Sequence, residues 1–397
     1  MKKCFLYLLM VGGLGACIQS EPLNAEADIM ACKILNAKGS PETNIKGNII
    51  NNAQVLAQAN PSIDLTKLAL EVTLTEGANI SPDPARVMDY SHPQKFTVTS
   101  EDGNWHKEYS VIIDTFDLPL RYDFEHYELN ETGKYQVFFE ETQGTALFKQ
   151  YIWASGNSGF ALTGVGRNPQ EYPTVSIENG IDGSRAIKLE TKSTGQFGET
   201  VKMPIAAGNL FLGSFDVNNA VQKPLKATRF GLPFGKKPLQ LKGYYKYTPG
   251  TQPFKAKDKN GNTVTIPGQE DEGDIYAVLY EAAELDGKAL DGNNVLTSEN
   301  IVALARVEVE KKDEFTAFHV DFHYGSRIPI DWPKFIQDQR DPSDDGTAPY
   351  LSFSEEKMKN YEYNLAVVFT SSKYGAYFAG SVGSTLCIDK VEIVCEK

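Results

Sequence analysis

From Leu120 onward the chain never sustains the 3.6-residue period of an amphipathic helix. What recurs is period two, interrupted by Gly, Pro, Asn and Asp. That pattern rules out βαβ architectures and leaves stacked antiparallel sheets, a jelly roll or sandwich. Candidate strands cover 122–124, 135–140, 186–191, 210–217, 239–247, 275–281, 301–309, 315–324, 365–369 and 386–394. One short helix is expected at 354–360. The stretches 252–274 and 328–349 exceed ordinary connections, which marks them as functional or mobile. With 41% hydrophobic and 11% aromatic residues, the chain has enough apolar surface to bury a core.

A second, smaller β region precedes this one. Segments 29–35, 68–75, 95–99 and 109–113 read as strands separated by turn chemistry, while 49–59 suits a strand or a short helix. The expected division is a β-sandwich over 27–116 and a larger β domain over 117–397.

The first seventeen residues are of another kind. Lys2 and Lys3 precede an apolar run too short to span a bilayer, which reads as a secretory signal over 1–16. Its end, Leu14-Gly15-Ala16-Cys17, resembles a bacterial lipobox, and the resemblance implies a lipid on Cys17 and a tether over 17–26. The expected location is therefore a bacterial outer membrane or cell surface, with the membrane engaged through the lipid. Of the five Cys, Cys387 and Cys395 lie on one expected strand, about 26 Å apart at strand rise, beyond disulfide reach. A net charge of −13 disfavours nucleic acid as a partner.

Two segments carry likenesses to known families. FTVTSEDG (96–103) followed by YSVII (109–113) resembles the terminal hairpin of bacterial immunoglobulin-like domains. The motifs WASGN (153–157), AGNLFLG (207–213), FGLPF (230–234), KPLQLKGYYKYTPG (237–250), VFTSSK (368–373) and GSVGSTLCIDKV (380–391) run in order through the larger domain. Together they resemble the PCMD family, the "putative carbohydrate metabolism domain" of Bacteroidetes lipoproteins. The resemblance implies an all-β chain, an immunoglobulin-like sandwich followed by a jelly roll, associated with glycan use. It brings no catalytic residue with it.

Candidate site residues follow from side-chain chemistry. Tyr151 and Trp153 share a strand parity, so both rings can face a sugar, or they can fill core. Asn157 in the next turn can bond a sugar hydroxyl or its own backbone. Tyr244 falls on the polar parity of 239–247, and Gly243 makes room beside it. Trp332 and Tyr374 complete the set of candidate glycan-contacting rings. His319, Asp321 and His323 share one face of 315–324, as metal ligands, as an acid–base cluster or as plain solvated residues. Asp123, Glu125 and Asp389 offer oxygen ligands for a structural calcium, or are solvated strand-end charges. Glu281, Glu284, Asp321, Asp389 and Glu392 are the carboxylates from which a glycosidase pair would be drawn.

The functional expectation is a surface lipoprotein that binds poly- or oligosaccharide. The alternatives are a glycoside hydrolase on the same scaffold, or a structural or adhesive protein that engages other envelope proteins.

Overall fold

The computed structural model describes residues 23–42, 45–50, 54–59, 61, 63–115, 117–143, 147–282, 289–340 and 346–396. Cys17 and Glu284 fall outside them. The fold is all-β, and the chain divides into two compact units at about residue 116.

In the smaller unit, the strands Ile29–Asn36 and Leu68–Leu74 pair antiparallel. A second sheet orders Ile45–Ile50, Gln54–Ala59, His106–Thr115, Gln94–Thr99 and Asn79–Ser81. Its Gln54–Ala59 and His106–Thr115 strands run parallel. The ambiguous stretch 49–59 thus belongs to two strands rather than a helix. Alternation is visible in Gln94–Thr99, where Phe96 and Val98 are buried and Thr97 is not. These two pack with Val55, Tyr109, Val111, Leu68 and Leu70 in one core. Burying each such side chain contributes about 1.5–3 kcal/mol.

The larger unit is built on two antiparallel sheets. The first orders Trp153–Ala154, Asn209–Phe215, Tyr363–Thr370, Asp274–Glu281, Ile301–Val307 and His323–Tyr324. The second orders Thr174–Ile177, Ala186–Glu190, Thr385–Cys395, Pro238–Thr248 and Lys312–Asp321. Inward residues of both, among them Leu210, Ile275, Val367, Ile187, Leu241 and Ile388, form a single core. Gly243 lets this core close, because a Cβ there would sit 2.9 Å from the Phe318 ring. Gly213, at φ +141°, lies where a Cβ would meet the Arg229 carbonyl oxygen at 2.0 Å. It allows Asn209–Phe215 to pair with Thr228–Phe230 as well as with its sheet neighbours.

The outward faces of the two sheets differ. Asp274–Glu281 is buried at every position. Its Tyr276, Val278 and Tyr280 are covered by Leu290, Val295, Leu296 and Tyr350 from connecting segments. Pro238–Thr248 instead alternates buried and part-exposed residues, so the second sheet faces solvent. The expected helix is present as Glu355–Lys359, with the Ser354 hydroxyl accepting the Lys357 N–H at 3.3 Å. No described helix is long and apolar enough to cross a membrane.

Candidate functional site

On the outward face of the first sheet lies a cavity of about 190 Å³. Strand register builds its floor. Phe211 sits opposite Val368, Val368 opposite Tyr276, and Tyr276 opposite Arg306, giving one row across four strands. A second row runs from Asn209 through Thr370 to Asp274. Because side chains on one face repeat every second residue, Asp274 and Arg306 become diagonal neighbours. All seven line the cavity.

Arg306 meets Asp274 in a fork, Nε donating to Oδ1 at 3.0 Å and Nη2 to Oδ2 at 2.7 Å. The Asp274 side chain is 4% exposed and that of Arg306 18%. Burial alone would weaken the guanidinium charge, and Asp274 beside it more than restores it, so Arg306 stays ionised. Such bidentate pairs fix orientation as well as charge.

The walls come from loops and short helices. Phe160, on Asn157–Ala161, and Phe197, on Gly195–Thr200, supply rings, Phe197 being exposed. On the other side the Arg340 guanidinium lies 4.2 Å from the Trp332 ring centroid and donates to the Tyr377 hydroxyl at 2.9 Å. Trp332 also packs against Tyr374, centroids 6.4 Å apart. Its Nε1 is buried with no hydrogen-bond partner among the described residues.

Asp271 secures the segments behind this wall. Its Oδ2 accepts from Ser372 Oγ at 2.6 Å, from the Ser381 N–H at 2.7 Å and from Ser384 Oγ at 2.7 Å. Burial pushes this carboxyl up to about 6 in spite of those donors.

The structure separates the sequence-derived candidates. Trp332 lines the cavity and Tyr374 backs it. Trp153 does not belong to it. It is 4% exposed in the core between the sheets, 5.0 Å from Tyr122 and 5.5 Å from Phe124 by ring centroid. Its Nε1 donates to Glu140 Oε1 at 2.8 Å, and burial pushes Glu140 up to about 7. Tyr151 lies outside the short strand Trp153–Ala154 and is exposed, so the pair forms no flat platform. Asn157 is buried, and its side chain clamps the backbone of Thr174 at 2.8 and 3.1 Å. Tyr244 is half-buried on the opposite sheet, away from the cavity floor.

The polar candidates are likewise dispersed. Among the described residues no group of three His, Cys, Asp or Glu could hold a metal ion. His319 and Asp321 are exposed on Lys312–Asp321 of the second sheet, whereas His323 is exposed on His323–Tyr324 of the first. Asp321 accepts from Gln240 Nε2 at 2.7 Å, and His323 Nε2 pairs with Ser326 Oγ at 3.0 Å. Asp389 is buried and serves the protein's own donors, the Ile181 N–H at 2.7 Å and Ser184 Oγ at 2.9 Å. Asp123 is ion-paired with Lys390 at 3.3 Å, and Glu125 accepts the Arg185 N–H at 3.1 Å. Glu281 is tied to Lys357, and Glu392 to Arg121 at 3.4 Å. Cys387 and Cys395 are free thiols, and Cys32 is buried.

Sequence reasoning missed Phe211, Asp274, Tyr276 and Arg306. A signal was present: opposite charges stand at matching parity near the ends of two strands that are otherwise almost entirely apolar.

A family profile described as "Putative carbohydrate metabolism domain" matches residues 123–394, and one described as "SGBP, N-terminal" matches 37–113. The chain is similar to a crystal structure from Bacteroides thetaiotaomicron described as a "putative glycoside hydrolase". That match has 39% identity and a TM-score of 0.64, covering 96% of this chain and 99% of the other. A structure from Bacteroides vulgatus with the same description shares 34% identity at TM-score 0.56, covering 70% of this chain and 99% of that one. No match was found among curated proteins.

Proposed function

The chain belongs to the "putative carbohydrate metabolism domain" family, and from that premise we propose that it binds saccharide in the cavity over the first sheet. The observation that carries this reading is the floor itself: aromatic carbon from Phe211 and Tyr276 beside a rigidly forked Asp274–Arg306 pair. Apolar rings stack on the CH face of a pyranose, while a few fixed polar groups set its orientation. Trp332 and Phe197 extend the apolar surface towards the mouth.

Binding fits the cavity better than cleavage. Hydrolysis needs two carboxyl groups about 5–9.5 Å apart across the bond. Among the described residues that line the cavity, Asp274 is the one carboxylate, and both its oxygens are engaged by Arg306. The relatives described as glycoside hydrolases favour the second reading, cleavage, so the test includes it.

Calorimetric titration of the purified protein against a broad oligosaccharide panel should show saturable binding. Trp332→Ala should weaken it at least tenfold, with the fold intact by circular dichroism. Silence across the panel from folded protein ends the reading. Reducing-sugar release that tracks protein concentration replaces it with the hydrolase.

The same reading places the protein at the cell surface through a lipid on Cys17, supported by the lipobox and by the "SGBP, N-terminal" match. Labelled palmitate should enter the wild-type protein, and Cys17→Ser should abolish it.

A further inference from the structure

The charges around the cavity run against those of the whole molecule. The chain carries a net −13, yet among the described residues that line the cavity Arg306, Arg340 and Lys373 stand beside one carboxylate, Asp274. Two of the Arg306 N–H groups are spent on Asp274, while its Nη1 has no hydrogen-bond partner among the described residues. Asp274 therefore acts as a backing group. It holds the guanidinium plane in place and leaves the far edge to face a ligand.

Lys373 strengthens the pattern. Its Nζ reaches Glu272 Oε2 at 2.8 Å, but Glu272 is 53% exposed and is not part of the cavity lining. An ion pair with so exposed a partner contributes little net stability, so a ligand anion can compete for the ammonium. A guanidinium edge presents parallel donors that match a carboxylate, and a dry apolar surround strengthens that contact.

We propose that the cavity takes an acidic saccharide, its uronate carboxylate held by Arg306 and Lys373. This rests on the saccharide-binding reading above, and the experiment separates the two. Oligosaccharides containing galacturonate, glucuronate or mannuronate are titrated calorimetrically, each beside its methyl ester, together with neutral and sulfated oligosaccharides. The ester keeps the ring and removes only the charge.

At least one uronate should bind tenfold or more tightly than its ester, and 0.5 M salt should erase most of that difference. Because Arg306→Ala can fail to fold, Lys373→Gln is the informative variant. It should lower the preference for uronate over its ester about fivefold. Equal affinity for acid and ester overturns the proposal, as does neutral binding with no uronate binding, and saccharide binding itself survives either result. Tighter binding of sulfated than of uronate sugars also overturns it. If no saccharide binds at all, the parent reading falls with it.

Discussion

The two outward faces of the larger unit are made of similar strands and meet different fates. Over the first sheet, connecting segments bury Tyr276, Val278 and Tyr280 and leave the cavity beside them. Over the second, nothing comparable among the described residues covers Lys242, Tyr244 and Lys246, which remain half-exposed between buried neighbours. The contrast shows where a β-sandwich can keep a charged pair with structural consequence. Asp274–Arg306 is enclosed and forked, whereas Gln240–Asp321 on the open face is a solvent-exposed contact.

The strongest attempt to break this contrast is Arg306→Ala. It leaves Asp274 buried and unpaired, which should cost about 3–5 kcal/mol by urea denaturation. The double variant Asp274→Leu with Arg306→Met should regain most of that loss while saccharide binding stays absent. A loss below about 1 kcal/mol for the single change would mean that the covered face is no more demanding than the open one.

Next in size is the pH dependence of Asp271. Its folded pKa, about 6, lies above the ordinary carboxylate value of 3.8. Burial thus favours the protonated form, and the associated stability is fully present below about pH 4 and lost as pH rises through 6. The difference is on the order of 3 kcal/mol. Asp271→Asn should flatten the unfolding profile between pH 4 and 7, and an unchanged slope would remove this carboxyl from the account.

Phe197→Ala on the covered face should reduce saccharide affinity by a factor of about three to ten, since one exposed ring contributes only part of a stacking surface. Smallest of all, His319→Ala or Tyr244→Ala on the open face should change stability by less than about 0.5 kcal/mol. Neither should alter binding. Loss of affinity from either would move the site to the second sheet.

Legibility followed the same division. Open-face strands announce themselves by alternation, and Pro238–Thr248 stands where period two put it. The strand expected over 315–324 runs Lys312–Asp321, however, and its end, His323–Tyr324, crosses to the first sheet. Asp274–Glu281 was recognisable as a strand, but eight buried residues in a row hide which face carries the site. Trp153 misled because its parity with Tyr151 presumes one continuous strand, and the regular pairing begins only at Trp153. The helices Asn157–Ala161 and Gly195–Thr200 left no periodic trace. They are single turns containing Gly, and Phe160 is buried with Tyr172 and Val175 while Gly195 lies close against Val165. Such turns owe their form to tertiary packing rather than intrinsic propensity.

Thr385–Cys395, the last described strand in chain order, lies in the interior of the second sheet between Ala186–Glu190 and Pro238–Thr248. Until that segment has left the ribosome, the sheet exists only as two halves with open edges. Closure then requires contacts spanning some two hundred residues, and such non-local pairing is slow. A nascent chain built this way leaves the second sheet unlocked until Thr385–Cys395 has emerged. A nonsense codon upstream of Thr385 would therefore release a polypeptide with two unsealed sheet borders, an invitation to aggregation.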